Sequence, residues 1–157
     1  MPQANGTDPI ALLKEDHEKV KSLFDEFEQT SNKRSQQRII REAILELDVH
    51  AGIEEEIFYP AYAEAAKESE DEEIILEAEE EHHVVHLLIG ELRDTSEMND
   101  RVAAKFTVLA ENVRHHIEEE ESEMLPKAQE LLGDRLQELG EQMTQRKREL
   151  MKELKQA

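Results

Sequence analysis

Seven residues of this chain combine the types and the spacing that metal binding requires: His17, His50, Glu54, His82, His86, His116 and Glu120. The densest signal among them is a repeat. The eleven residues from His50 to Pro60, HAGIEEEIFYP, return in outline from His116 to Pro126 as HIEEEESEMLP, so His-x-x-x-Glu-x5-Pro occurs twice. In an α-helix, residues four apart lie one above the other, and an imidazole and a carboxylate at that interval can reach one cation. His82 and His86 form a third pair at the same spacing, while His17 stands alone.

The elements that must carry these residues read as helices. Only 5 glycines and 4 prolines punctuate the chain, and helix-forming Leu, Glu, Ala, Lys and Gln fill the segments between them. Asp8 is expected to cap a first helix that opens with Pro9 and runs to about Glu28, with His17 inside an apolar stripe of Leu13, Val20, Phe24 and Phe27. After the break TSNKRS, a second helix places His50 and Glu54 on one face with Ile40, Ala43, Leu47 and Ile57. Pro60 is expected to end or kink it just past that pair, with a short helical piece over 61–67. Ser69 and Glu72 form a capping-box pattern opening a third helix, in which Ile75, Ala78, Val85, Ile89 and Leu92 share a face with His82 and His86. Beyond TSEMND, a fourth helix aligns Val102, Phe106, Leu109 and Val113 with His116 and Glu120, and Pro126 interrupts it as Pro60 does the second. A last amphipathic stretch through Leu136, Leu139, Met143, Leu150 and Leu154 carries the basic run Arg146, Lys147, Arg148 and reads as a lid or packing helix.

The expected fold is therefore all-α, an antiparallel up-down four-helix bundle with an additional C-terminal amphipathic helix. Its divisions are a loose lead over 1–7, the bundle over 8–130, and a packing helix over 131–157 of the same domain. His17, His50, His82 and His116 are 33, 32 and 34 residues apart, one per helix. Equal intervals in an antiparallel bundle with short loops bring all four to one height, and helical bundles commonly build metal sites from such facing residues. Five inward histidines and two inward glutamates in one layer would cost several kcal/mol for each unpaired charge without compensation. A dinuclear centre with two divalent ions and a bridging hydroxide provides it. Glu121 is a possible substitute for Glu120, and His83 for His82, although His82 alone stands four residues from His86. His83 and His115 read as rim residues beside the ligand stripe; Tyr59 and Tyr62, just beyond the second motif, are within reach of the site but read as structural residues near a helix end, outside the ligand set.

Composition narrows the partners. The chain has no cysteine, which removes disulfides and thiolate sites and leaves nitrogen and oxygen donors. A formal net charge of −20 disfavours phosphate backbones and anionic lipid. No stretch approaches the roughly 20 apolar residues of a membrane span. The expectation is a cytoplasmic protein that binds neither nucleic acid nor membrane.

At the residues named above the chain resembles the hemerythrin-like family, also called the HHE cation-binding domain. That family's pattern is one His, then His-x-x-x-Glu, then His-x-x-x-His, then His with an acidic residue. The resemblance covers about residues 8–130. It implies an up-down four-helix bundle around a non-haem di-iron centre with an oxo or hydroxo bridge. By resemblance His82, His86 and His116 serve one iron, His17 and His50 the other, and Glu54 and Glu120 bridge both. Animal hemerythrins place an aspartate five residues after the last histidine, whereas here Glu120 at four residues fits the helical face. The implied function is binding of O2, or of a related ligand such as NO or peroxide, for oxygen binding, storage or sensing. The alternatives are a di-iron redox enzyme turning over peroxide or NO, and an iron-responsive interaction protein.

Overall fold

The computed structural model describes residues 8–156, and among them every regular element is helical. The expected lead over 1–7 lies outside the described residues. Helix α1 spans Pro9–Glu28, α2 Lys33–Ile53, α3 Tyr59–Ala65, α4 Ser69–Arg93, α5 Asp100–Glu119, α6 Leu125–Leu132 and α7 Leu136–Gln156. A π-helical turn joins α2 to α3 over Glu54–Phe58, and a second joins α5 to α6 over Glu120–Met124.

The helix starts follow local chemistry. Asp8 accepts from the Ile10 N–H at 3.0 Å ahead of Pro9, and Asn32 and Asn99 cap α2 and α5 by accepting from the Ser35 and Val102 N–H groups. Satisfying these otherwise orphaned donors is what fixes where each helix begins. Helix α4 departs from expectation. Ser69 is its first helical residue, Glu68 stands at the cap position, and no side chain bonds the exposed N–H groups. Instead Glu70, Asp71 and Glu72 crowd the first turn, where carboxylates are favoured by the positive end of the helix dipole.

The two internal prolines interrupt their α-helices as expected, but through a widened turn and not a full stop. Proline lacks an N–H and its ring clashes with the carbonyl four residues back. Here the backbone widens: the Tyr59 N–H bonds the Glu54 carbonyl and the Leu125 N–H bonds the Glu120 carbonyl, five residues back in each case. The prolines then sit at the first turn of α3 and α6, where a missing N–H costs nothing. The helical piece expected over 61–67 accordingly begins earlier, at Tyr59.

Two apolar clusters build the core, and the histidines fall between them. On α1, Leu13 belongs to one cluster and Val20 to the other, with His17 between; on α2, Leu47 and Ile53 flank His50 in the opposite order. The order reverses again on α4, where Ala78 precedes and Ile89 follows His82, and once more along α5 and its π turn, where Val113 precedes His116 and Met124 follows it. This alternation is the up-down-up-down bundle, with the metal-ligating residue types in a single layer across its middle. Helix α7 packs along α1, α2 and the first π turn. A Cβ at Gly52 would come within 2.7 Å of Leu150 Cδ1, so the bare glycine gives α7 its close approach to α2.

Candidate metal centre

Six of the seven expected residues converge in that layer. His17, His50, Glu54, His82, His116 and Glu120 are all buried, Glu54 completely. The two glutamates divide their oxygens between two pairs of histidines. Glu54 Oε2 lies 3.3 Å from His50 Nε2 and its Oε1 lies 3.1 Å from His82 Nε2. Glu120 Oε1 lies 3.1 Å from His17 Nε2 and its Oε2 lies 3.2 Å from His116 Nε2. The His17 and His50 rings meet at 5.0 Å between centroids, and those of His82 and His116 at 4.9 Å.

Each inward ring is held from behind by an outer carboxylate. Through Nδ1, His17 donates to Glu121 at 2.7 Å, His50 to Asp16 at 2.8 Å, His82 to Glu55 at 2.8 Å and His116 to Glu81 at 2.5 Å. Such a bond fixes the ring's tautomer and leaves Nε2 facing the centre, the arrangement metal-ligating histidines characteristically show. Every outer acceptor sits next to an inward residue in sequence, so the same helical turn delivers both. Asp16 and Glu81 precede His17 and His82, and Glu55 and Glu121 follow Glu54 and Glu120.

His86 takes a different position. Its side chain is 43% exposed and donates through Nε2 to Glu55 at 2.7 Å, although it also borders the cavity beside the centre. His83 is exposed, and His115 is exposed and pairs with Glu119 on the surface. Glu121, considered as a substitute for Glu120, supports His17 from outside.

Tyr59 is the residue that sequence reasoning left out of the site. Its hydroxyl donates to Glu120 Oε2 at 2.7 Å and lies 3.1 Å from Glu54 Oε1 and 3.2 Å from Nε2 of both His82 and His116. In an unbroken α-helix Tyr59 would stand about 140° round from Glu54, facing away. The π turn brings residues five apart into line and swings it inward. The available signal was Pro60 itself, since a proline that does not end a helix demands such a wider turn.

Electrostatics describe a centre short of positive charge. Burial works against protonation of His82 and His116, yet contacts with Glu54 and Glu55 raise His82 to about 9, and contacts with Glu120 and Glu81 raise His116 to about 10. His50 is likewise pushed well above its ordinary value against the cost of burial, chiefly by Glu54 and Asp16. Burial opposes ionisation of Glu120, but hydrogen bonds with Glu54, His116 and His17 hold its carboxyl well below the usual range. Burial and the adjacent charges of Glu54 and Glu120 keep the Tyr59 phenol protonated. Protons thus supply the positive charge that divalent cations would otherwise bring.

The donors fit such cations. His50 Nε2 and Glu54 Oε2 are buried, face one another and have no hydrogen-bond partner, a costly state for polar atoms that ligation would relieve. Ligand atoms of His17, His50, Glu54 and Glu120 all lie within 4.8 Å of one another, as do those of Glu54, His82 and His116, so two neighbouring groups share Glu54. Nitrogen and oxygen donors without sulfur suit first-row divalent metals. Val20, Leu47, Val85, Val113 and Ile117 wall an apolar cavity against five of the histidines. On the other side an acidic opening lined by Glu77, Glu81, Glu119 and Glu123 reaches His116 and Glu120.

Comparison with known proteins defines the class. The model of the hemerythrin HHE cation-binding domain matches residues 8–128, and the chain belongs to that family. The crystal structure of a hemerythrin HHE cation-binding domain-containing protein from Mycobacterium kansasii superimposes with a TM-score of 0.78 at 27% identity, covering 93% of this chain and 88% of that one. A protein of Nostoc sp. described as a DNA nickase is 29% identical over 111 residues, which are 71% of this chain but 30% of that protein. The chain thus spans under a third of that relative's length. Among the described residues no helix is long and apolar enough to cross a membrane.

Proposed function

We propose that this protein is a non-haem di-iron protein that binds O2 or a related small ligand such as NO or peroxide. The observation that carries the reading is the division of Glu54 and Glu120, each with one oxygen toward the α1–α2 histidines and the other toward the α4–α5 histidines. His17 and His50 would hold one ion, His82 and His116 with His86 the other, and the two glutamates would span both. Ferrous ions bound there would supply electrons and an open position for a diatomic ligand. The chain's own residues do the rest. The apolar wall of Val20, Leu47, Val85, Val113 and Ile117 favours a small uncharged ligand over water and ions. Tyr59 keeps its proton and holds it at Glu120 Oε2, beside both histidine pairs. A net charge of −20 opposes association with a phosphate backbone, so the proposal includes no nucleic-acid partner.

Tyr59 also favours a second reading, in which the same centre turns over peroxide or NO and the phenol donates a proton to the bound substrate. Anaerobic loading with ferrous iron, followed by O2 exposure, separates the two. A stoichiometry of two irons with a visible band that fades on deoxygenation supports reversible binding. Irreversible oxidation with steady consumption of peroxide supports the enzyme. Failure to hold any stoichiometric divalent metal would sink both.

A further inference from the structure

We propose that Lys147, carried by α7, is a positioning residue of the metal centre: it locks the buried Asp16 carboxylate, which in turn aims His50 at the shared glutamates. The inference rests on the metal-binding reading above and extends it to a helix beyond residues 8–128, the part matched by the family model.

Asp16 is bonded at both oxygens. Its Oδ2 accepts from His50 Nδ1 at 2.8 Å and its Oδ1 accepts from Lys147 Nζ at 2.5 Å. The carboxylate cannot turn without breaking a charge-assisted bond, and such bonds are the stronger kind. Asp16 is 5% exposed, so loss of its lysine would leave a buried carboxylate short of a cation. His50 is the ring most dependent on this support, because its Nε2 has no hydrogen-bond partner and the bond to Asp16 is its one hydrogen bond among the described residues.

Lys147 is itself held in place. Leu150 is buried against Gly52, two residues from His50, and Arg146 bonds Glu56 in the first π turn at 2.8 Å. The equivalent carboxylate on the other half, Glu81, has no lysine or arginine partner among the described residues. The device therefore belongs to one half of the centre alone.

The test compares the full-length wild type with Lys147→Gln, Lys147→Arg and Arg146→Gln, each loaded anaerobically with ferrous iron. Release of iron to a ferrous chelator is followed, and nitrogen NMR of the diamagnetic zinc-loaded proteins, in which one ring nitrogen is ligated and the other keeps its proton, reads the His50 tautomer. Lys147→Gln is expected to release iron roughly tenfold faster and to lose the single Nδ1-protonated form of His50. Lys147→Arg should restore both readouts, and Arg146→Gln, which removes one anchor of α7 but leaves Leu150 and the Lys147–Asp16 bond, should change each much less than Lys147→Gln does. Wild-type release and tautomer in Lys147→Gln would overturn the inference while leaving the metal reading intact. Equal acceleration in Arg146→Gln would also overturn it, making α7 a cover rather than a positioning element. A wild type that takes up no iron would overturn the metal reading, and the inference with it.

Discussion

The α1–α2 half of the centre and the α4–α5 half repeat one another residue for residue, yet one is closed and the other open. His17 corresponds to His82, His50 to His116, Glu54 to Glu120, Asp16 to Glu81 and Glu55 to Glu121, each pair in the same role. The halves differ in three places. Tyr59 fills the position after one π turn and Leu125 the position after the other. Four residues beyond the first histidine stands Lys21 in one half and His86 in the other. Helix α7 seals Asp16 under Lys147, whereas Glu81 lines an acidic opening to solvent. In the proposed di-iron reading, the shared part would hold the two cations. On that reading the differences would favour retention on the side sealed by Lys147 and access on the side of the Glu81 opening.

The strongest way to break the comparison is to remove what both halves share. Glu54→Ala deletes the carboxylate that reaches both histidine groups, and loss of both irons is expected, measured as metal content after anaerobic loading. One retained iron per chain would show that the halves bind independently.

The residues after the π turns come next. Leu125 is 1% exposed, and Leu125→Ala should cost about 2–5 kcal/mol in denaturant unfolding without changing iron content. Tyr59→Phe leaves the buried Glu120 without its hydroxyl donor and should cost about 1–3 kcal/mol in the metal-free protein. It should also alter the visible spectrum or ligand turnover of the loaded protein. Equal behaviour of the two variants would remove the functional asymmetry.

The outer carboxylates test closure directly. Asp16→Asn and Glu81→Gln should each weaken iron binding by about 10–100-fold, with Asp16→Asn toward the upper end because its environment is the drier. A reversed order would sink the assignment of retention to the α1–α2 half.

Acidity supplies a gentler probe of the open half. His82 and His116, raised to about 9 and about 10 from 6.5, stabilise the metal-free fold when protonated. That contribution is fully present below pH 6.5 and is lost as the pH rises through 9 and 10. The denaturation midpoint of the metal-free protein should therefore fall across this window, and iron loading at neutral pH should release protons. A midpoint that rises across the window would contradict the sign. Smallest of all, Arg38→Ala removes exposed pairs with Glu26 and Glu42 far from either half, and should cost under about 1 kcal/mol with iron content unchanged.

Much of this was legible in one dimension. The spacing of apolar residues on α1, α2, α4 and α5 marks their inner faces, and the histidines and glutamates lie on those faces, so bundle and candidate donors follow from helical period. Asp8 with Pro9 marks the start of α1 because a cap and a first-turn proline act within four residues. Ser69 misled for a related reason: a capping box is a local option, and the acidic first turn of α4 supplies an alternative. Of the outer carboxylates only Glu121 stood out, as a stand-in for Glu120; Asp16, Glu55 and Glu81 were lost among 39 acidic residues.

What the sequence by itself determined, then, is the set of helical faces and the donors they carry, since both depend on neighbours within one or two turns of the chain. Only the tertiary structure decided which donors meet. Asp16 reaches His50 across 34 positions and Lys147 reaches Asp16 across 131, pairings that no local period encodes. Tyr59 enters the centre because a proline inside a packed helix forces a π turn, and packing on both sides keeps that helix from ending. The repeated His-x-x-x-Glu-x5-Pro motif is in this sense two instructions in one. Its first half states what binds, and its proline states, once the bundle has closed around it, what else must face the site.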